Sequence, residues 1–578
     1  MLKRGILLLL VVMMWAACGG KRTGKKAPPQ IQDGIPAGGT LIVGMNGEPE
    51  GLNPLTSLSK PARDIMNLIF RRLADINADL SSFSPQLAQS WEWSPDSLSL
   101  RFHLRTDVLW HDGHRFSAAD VAFTYELQTN PAVAWDGVSY KKYIDAVFAE
   151  NDSTVVFHFT RRYSDMLMDA VEGFILPQHQ LEGIDPEQMM TAEFARKPVG
   201  NGPFQFHSWR TQQMIQVVKY SHYYEPGKPH LQRIVFKVVL DATNLFQQLR
   251  SGDIDFAEGI SPLHYVQLRQ AHEKGQTAVR PISYLGRNYD FIGWNLNAVS
   301  SYENLQPGQK YSITDLRNEL RPHPLFGDQR VRAALTMAID RETLAEVVNH
   351  GMAIPMHGPV PPILWAYREE ANRHWPYDPG QARQILAEEG WVDSDGDSVL
   401  DKNGVPFRFE MLTNSGNPRR EQALTIIQGY LRKVQVDMQP RVVEPGLLLG
   451  RLLPAKNYDA ILFGWVVGLK MDLAPLFHST TLPFPFHFTG YYSDRYDIYE
   501  TLAKEADTQQ EARKYWDKAA MTLSHDLPYT WLYYRMECSG LHNRFRDVQF
   551  DKRGCLINVK DWWIPLAERT AADNRSLR

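Results

Sequence analysis

A chain of 578 residues, 43% hydrophobic and 22% charged, is long enough for two or three domains and ordinary in composition for a folded globular protein. Its net charge of −4 leaves no domain-wide basic surplus, which argues against nucleic acid as a partner. The 15 Trp and 24 Tyr read either as large cores or as flat faces lining a roomy cleft.

Lys3 and Arg4 precede an apolar run, Gly5 to Ala17, of the length of a secretory signal core and too short for a membrane span of about 20 residues. Ala16-Ala17-Cys18-Gly19 resembles a bacterial lipobox, which implies lipidation of Cys18. Residues 19–37, rich in Gly, Lys, Pro and Gln, read as a flexible basic tether beside anionic headgroups. Gly19, Gly24 and Lys25 imitate a phosphate-binding loop, but Lys26 stands where Ser or Thr is required and no strand precedes it. The segment is therefore not read as a nucleotide-binding loop.

Gly38 to Gly44 reads as the first strand of the folded region. Ser97 to Leu104 alternates apolar and polar residues, as a strand with one buried face does. His111-Asp112-Gly113 is a turn, and Ser117, three residues before Asp120, caps a helix with an acidic first turn. A helix from Ala242 ends at Gly252 and leads into a strand. Arg330–Ala338 and Arg341–His350 read as helices, the second capped by Asp340 and ended by Gly351. Another helix opens at Asp378-Pro379 and ends at Gly390. Ala460–Phe463 is a buried strand that Gly464 breaks, which presents Trp465 at a strand end, where open α/β sheets bind ligands.

No metalloprotease, nucleophile-elbow or dinucleotide signature is present, so no catalytic residue, metal or cofactor is assigned and the chain is not read as an enzyme. Asp393 to Asp401 alternates carboxylates like a calcium loop, yet Ser398 and Gly404 replace its turn glycine and closing glutamate. A solvated turn is the expectation there. His111 and His114 straddle a glycine turn and are not read as ligands. Cys538 and Cys555 are available for a disulfide; the alternative is two separate buried thiols.

Pro85 to Glu126 carries "P-x-LA-x-SW", then a core ending in "V-x-W-HDG", then "F-[ST]-A-x-DV-x-F". With Leu52-Asn53-Pro54, Pro198 to Phe204, and Phe326 to Arg341, these segments resemble the bacterial extracellular solute-binding proteins of family 5. The resemblance spans about residues 38 to 550. It implies a two-lobed α/β periplasmic-binding fold (type II, peptide-binding subclass) with an extra domain on the first lobe. The expected division is a signal at 1–18, a tether at 19–37, lobe I at 38–78, 199–290 and 527–578, the extra domain at 79–198, and lobe II at 291–526. Hinges are expected near Leu285–Asn297 and Leu527–Tyr534.

The resemblance also implies the role: a lipid-anchored receptor of the cell envelope, monomeric, that passes peptides to a permease driven by separate ATPases. Trp465 is its expected ligand contact. Gly468 stands where peptide receptors of the family often place an Asp for the ligand's α-ammonium; Asp472 substitutes for it, or a longer ligand is held by its backbone. Trp294 and Asn295 resemble the strand beside the cleft, and Tyr140 approaches from the extra domain. The alternatives are the same fold holding a metal chelate or oligosaccharide, and a peptide-sensing adaptor without transport.

Overall fold

The computed structural model describes residues 31–32, 35–306, 309, 311–484, 486–571 and 573. The expected signal, Cys18 and most of residues 19–37 lie outside them. The far end of the expected tether holds a short strand pair, Ile31–Gln32 against Ile35–Pro36.

Strand Thr40–Met45 (β1) and helix Lys60–Ile69 (α1) open the folded region. Strands Ala88–Trp93 (β2) and Ser99–Leu104 (β3), helix Ala118–Thr129 (α2), and strands Ile144–Asn151 (β4) and Thr154–Phe159 (β5) follow. After helix Met166–Val171 (α3) come strands Phe204–Arg210 (β6), Met214–Lys219 (β7) and Arg233–Val238 (β8). Helix Ala242–Ser251 (α4) and strand Phe256–Glu258 (β9) lead to the 16-residue strand Val279–Trp294 (β10). Helices Gln329–Met337 (α5), Arg341–Asn349 (α6) and Pro379–Glu388 (α7) are next. Strand Arg408–Asn414 (β11), helix Pro418–Arg432 (α8), and strands Asp437–Val443 (β12) and Ala460–Val466 (β13) build the second half. Helices Asp494–Glu505 (α9) and Gln509–Asp526 (α10) precede the 14-residue strand Tyr529–His542 (β14).

The main sheet runs β6-β7-β8-β1-β9-β14-β10-β13-β11-β12, and β2-β3-β5-β4 form a separate sheet. Each half of the main sheet contains parallel strands: β1 with β8 and β9, and β11 with β12 and β13. The antiparallel pair β10 and β14 joins the halves. Residues 539–541 of β14 pair with β9, whereas residues 288–294 of β10 pair with β13. Between these pairings the register slips at Leu285/Asn288, leaving Gly286 and Arg287 as a bulge. Separate apolar cores lie under the first half, the second half and the four-stranded sheet. The result is a two-lobed α/β molecule.

Local chemistry accounts for the element ends. The Ser117 N–H donates to Asp120 at 2.9 Å, Gly252 closes α4 at a φ of 82°, and Asp340 accepts from the Thr343 N–H at 3.0 Å. Helix α6 stops one residue before expectation, because His350 itself takes the left-handed conformation. The family-signature turn locks three segments together. His111 donates its backbone N–H to Gly200 O at 2.8 Å, and its Nε2 lies 3.0 Å from Gly202 O. A Cβ on Gly200 or Gly202 would meet the carbonyls of Ile69 or Leu68 at 2.0 and 2.3 Å, so glycine lets this loop seat against the end of α1.

One expectation about a strand is overturned. Gly464 does not break β13, which continues to Val466. A Cβ there would lie 2.2 Å from Asp290 Oδ1 and 2.6 Å from Arg420. The glycine makes room for an ion cluster rather than ending a strand.

Candidate ligand cleft

Between the two halves, over the β10–β14 crossing, lies a cavity of about 800 Å³. That is within the range of ligand pockets, about 300–1,000 Å³. Helix α1 supplies Lys60, Asp64 and Asn67 to one wall, and β9 supplies Glu258. The crossing supplies Tyr284, Arg287, Arg535 and Glu537 to the floor. Val466, Gly468 and Leu469 close the cavity from the second half, and Tyr140 and Met168 from the segment that carries the four-stranded sheet.

Groups on the two rims of the cleft touch, which makes this a closed arrangement around the cavity. Lys470 pairs with Asp169 at 2.5 Å, and its ammonium lies 4.8 Å from the Tyr140 ring centre. Nearby, the Ser164 N–H donates to Ala506 O at 2.8 Å and Arg161 pairs with Glu505 at 2.6 Å. On the other rim, Lys552 donates to Ile363 O at 2.9 Å.

The floor and wall hold two groups of charge. Asp290, on β10, is fully buried and takes hydrogen bonds from Arg419 and from Arg420 at 3.1 and 3.2 Å. Burial pushes this carboxyl up, but the charges of Arg419, Arg535 and Arg420 outweigh it and hold it at about 2. In the other group, Lys60 pairs with Asp64 at 2.7 Å and also with Glu258. Glu258 further accepts from the Tyr284 hydroxyl at 2.9 Å and the Cys555 thiol at 3.0 Å. Burial raises Glu258, but Lys60 and these donors leave it below the usual range. Asp64 is pushed up to about 6, by burial first, with Lys60 opposing and Glu258 adding to it. Glu537 lies beyond them with no hydrogen bond or ion pair to its carboxylate among the described residues. Burial, then the Glu258 charge, pushes it up to about 7.

The residues expected from the sequence divide between cleft and core. Gly468 and Tyr140 line the cavity. A Cβ on Gly468 would meet only the Lys470 backbone, at 4.0 Å, so its missing side chain leaves open volume. Trp465 does not line the cavity: its ring stacks 4.9 Å from Phe488 and its Nε1 donates to Tyr529 at 3.3 Å. Strand alternation presents Val466 instead, 63% exposed.

Trp294 and Asn295 are corrections, since both are completely buried. Trp294 donates to Thr530 at 3.0 Å within the core of the second half. The Asn295 amide donates to the carbonyls of Lys456 and Tyr458 and accepts from Tyr302, so its hydrogen-bonding capacity is used in fastening loops. Asp472 pairs with Lys504 at 2.6 Å and caps Ala474, away from the cavity. Cys538 and Cys555 are free thiols, buried in different cores, and Cys555 faces Glu258. The Asp393–Asp401 loop is a turn whose carboxylates accept its own N–H groups, Gly396 to Asp393 and Val399 to Asp397, both at 2.8 Å.

The acidic wall and Asp290 were not expected. Their signal was present: Asp290 is charged within the apolar run of β10, and Arg535 and Glu537 stand two apart in an otherwise uncharged stretch of β14.

Comparison with known proteins places this architecture. The model of bacterial extracellular solute-binding proteins, family 5 (middle), matches residues 82–488. The oligopeptide-binding protein AppA of Bacillus subtilis is 28% identical over 570 residues, covering 97% of this chain and 99% of its own. Its structure in complex with a nonapeptide superposes with a TM-score of 0.74 over 92% of this chain and all of that one. NikZ of Campylobacter jejuni, solved with Ni(L-His), is 25% identical with a TM-score of 0.73, covering 91% and 99%. The chain belongs to the bacterial extracellular solute-binding proteins of family 5.

Proposed function

We propose that this chain is the solute receptor of an ABC importer, capturing peptides between its lobes and delivering them to a membrane permease with separate ATPases. The observation that carries the reading is the cavity of about 800 Å³ walled by both halves of one sheet. The end-to-end likeness to a protein solved with a nonapeptide supports peptide as the occupant. In this reading the lobes (38–78, 199–290 and 527–578 against 291–526, with 79–198 on the first) swing about the Gly286–Arg287 bulge. A bulge at a two-strand crossing absorbs a small backbone rotation while each lobe stays rigid. Ligand favours the closed form only through contacts that the open form lacks.

Among the described residues no helix is long and apolar enough to cross a membrane. The proposed attachment is a lipid on Cys18, with the receptor working as a monomer. Gly468, Tyr140 and Val466 are the proposed ligand contacts on the far wall.

Native mass spectrometry of protein purified without denaturation tests the reading. Retained masses spaced by amino-acid residues are the expected result. A single nickel-containing mass, as the NikZ likeness would allow, replaces peptide by a metal chelate. Steady chemical turnover of a retained peptide overturns the receptor role.

A further inference from the structure

Three carboxylates (Asp64, Glu258 and Glu537) reach the cavity from three different elements, α1, β9 and β14. Lys60 is the one cation bonded to them among the described residues, and it contacts only Asp64 and Glu258. Glu258 already accepts from Lys60, Tyr284 and Cys555. Glu537 is left half-buried, facing the cavity, with no hydrogen bond or ion pair among the described residues; Lys60 and Arg535 act on it only at a distance. A buried carboxylate in this condition is costly unless something pairs with it.

Arg535 does not fill the gap. It lies two residues away on the same face of β14 and makes no ion pair with Glu537. Its Nε is sealed from solvent with no hydrogen-bond partner among the described residues, and the Asp290 charge attracts it more strongly than Glu537 does. The crossing floor is thus polarised, with arginine toward the second half and carboxylate toward the first.

We propose that the wall formed by Asp64, Glu258 and Glu537 is a subsite for an ammonium group of the ligand, with Glu537 as its direct partner. The inference rests on the peptide reading and names the class it selects: peptides that bring a positive charge to the lobe I side of the cleft. Either a lysine side chain or a free amino terminus supplies that chemistry. An ammonium here makes a charge-assisted hydrogen bond and gives Glu537 a cation in direct contact, where Lys60 and Arg535 act only at a distance. Glu537 then ionises at neutral pH, where its raised affinity for a proton otherwise keeps it partly neutral.

The test titrates the full chain calorimetrically with three sets of alanine nonapeptides. The first is blocked at both ends and carries one lysine at each position in turn. The second replaces lysine by uncharged norleucine, and the third keeps norleucine but frees the amino terminus. A lysine position, or the free terminus, should bind about tenfold more tightly than its blocked norleucine counterpart, a difference of about 1.4 kcal/mol. Glu537→Gln and Asp64→Asn should each shrink that gain severalfold, while Glu410→Gln, on the exposed surface of the second half, leaves it intact. Equal binding of all three sets, or a gain that survives both cleft substitutions, overturns the subsite alone. Failure of every peptide to bind overturns the peptide reading and the subsite with it.

Discussion

Two acidic side chains mark the crossing between the lobes, and they are treated in opposite ways. Asp290 on β10 is enclosed by Arg419 and Arg420 and held at about 2. Glu537 on β14 has no bonded partner among the described residues and is pushed up to about 7. Both sit on strands that serve both lobes, so neither position is a peripheral surface. The difference lies in what surrounds them. Asp290 faces the start of α8, whose first turn carries two arginines against the helix dipole and needs an anion there. Glu537 faces open volume. A carboxylate held by three arginine hydrogen bonds organises a fold; one with none among the described residues, beside a cavity, is available to a ligand.

The largest expected effect comes from breaking the satisfied member. Asp290→Asn should cost about 3–5 kcal/mol at neutral pH, because it leaves buried arginine charge uncompensated. Urea denaturation measures it, and a loss below about 1 kcal/mol would remove the contrast with Glu537. The pH dependence has a definite sign. Asp290 is held below its ordinary 3.8, so its contribution is fully present above about pH 4 and fades as pH falls toward 2. The penalty of the substitution should shrink over the same window. Next in size is Gly464→Ala, which pushes a methyl group into the Asp290–Arg420 contact. Overpacking of this kind costs about 1–3 kcal/mol. Unchanged stability would show that the ion cluster has slack, which its close distances deny.

These residues also show what a one-dimensional reading captures. Alternation gave β3, the Ser117–Asp120 spacing gave the start of α2, and Gly252 gave the end of α4, because each depends on neighbours a few positions away. Gly464 was misread for the opposite reason: the carboxylate that requires it comes from position 290, on the adjoining strand. The acidic wall gathers positions 64, 258 and 537, which only the completed sheet brings together. Trp465 fell on the wrong side of a strand end by a single residue, and Val466 took its place at the cleft. Asn295 had the right chemistry for a peptide backbone, but the protein's own loops already use it.

The smallest effect belongs to the unsatisfied member, and its sign distinguishes it most clearly from Asp290. In the unfolded chain Glu537 releases its proton near 4.5, while in the folded protein it holds the proton until about 7. The folded state therefore binds more protons across that window, and this group's contribution to stability is greatest below about pH 4.5 and declines as pH rises to 7. Glu258, Asp64, Lys60, Arg535, Cys555 and Tyr284 all face the same space and titrate or carry charge with it, which blunts the decline to the order of 1 kcal/mol. Glu537→Gln keeps the shape and removes the charge. It should flatten the loss of stability between pH 5 and pH 8 and leave the variant slightly more stable than its parent at pH 8, as read from urea midpoints. An identical pH 5 to 8 profile in parent and variant would mean that Glu537 already has its counter-ion in the empty protein, and the two carboxylates of the crossing would then differ only in degree.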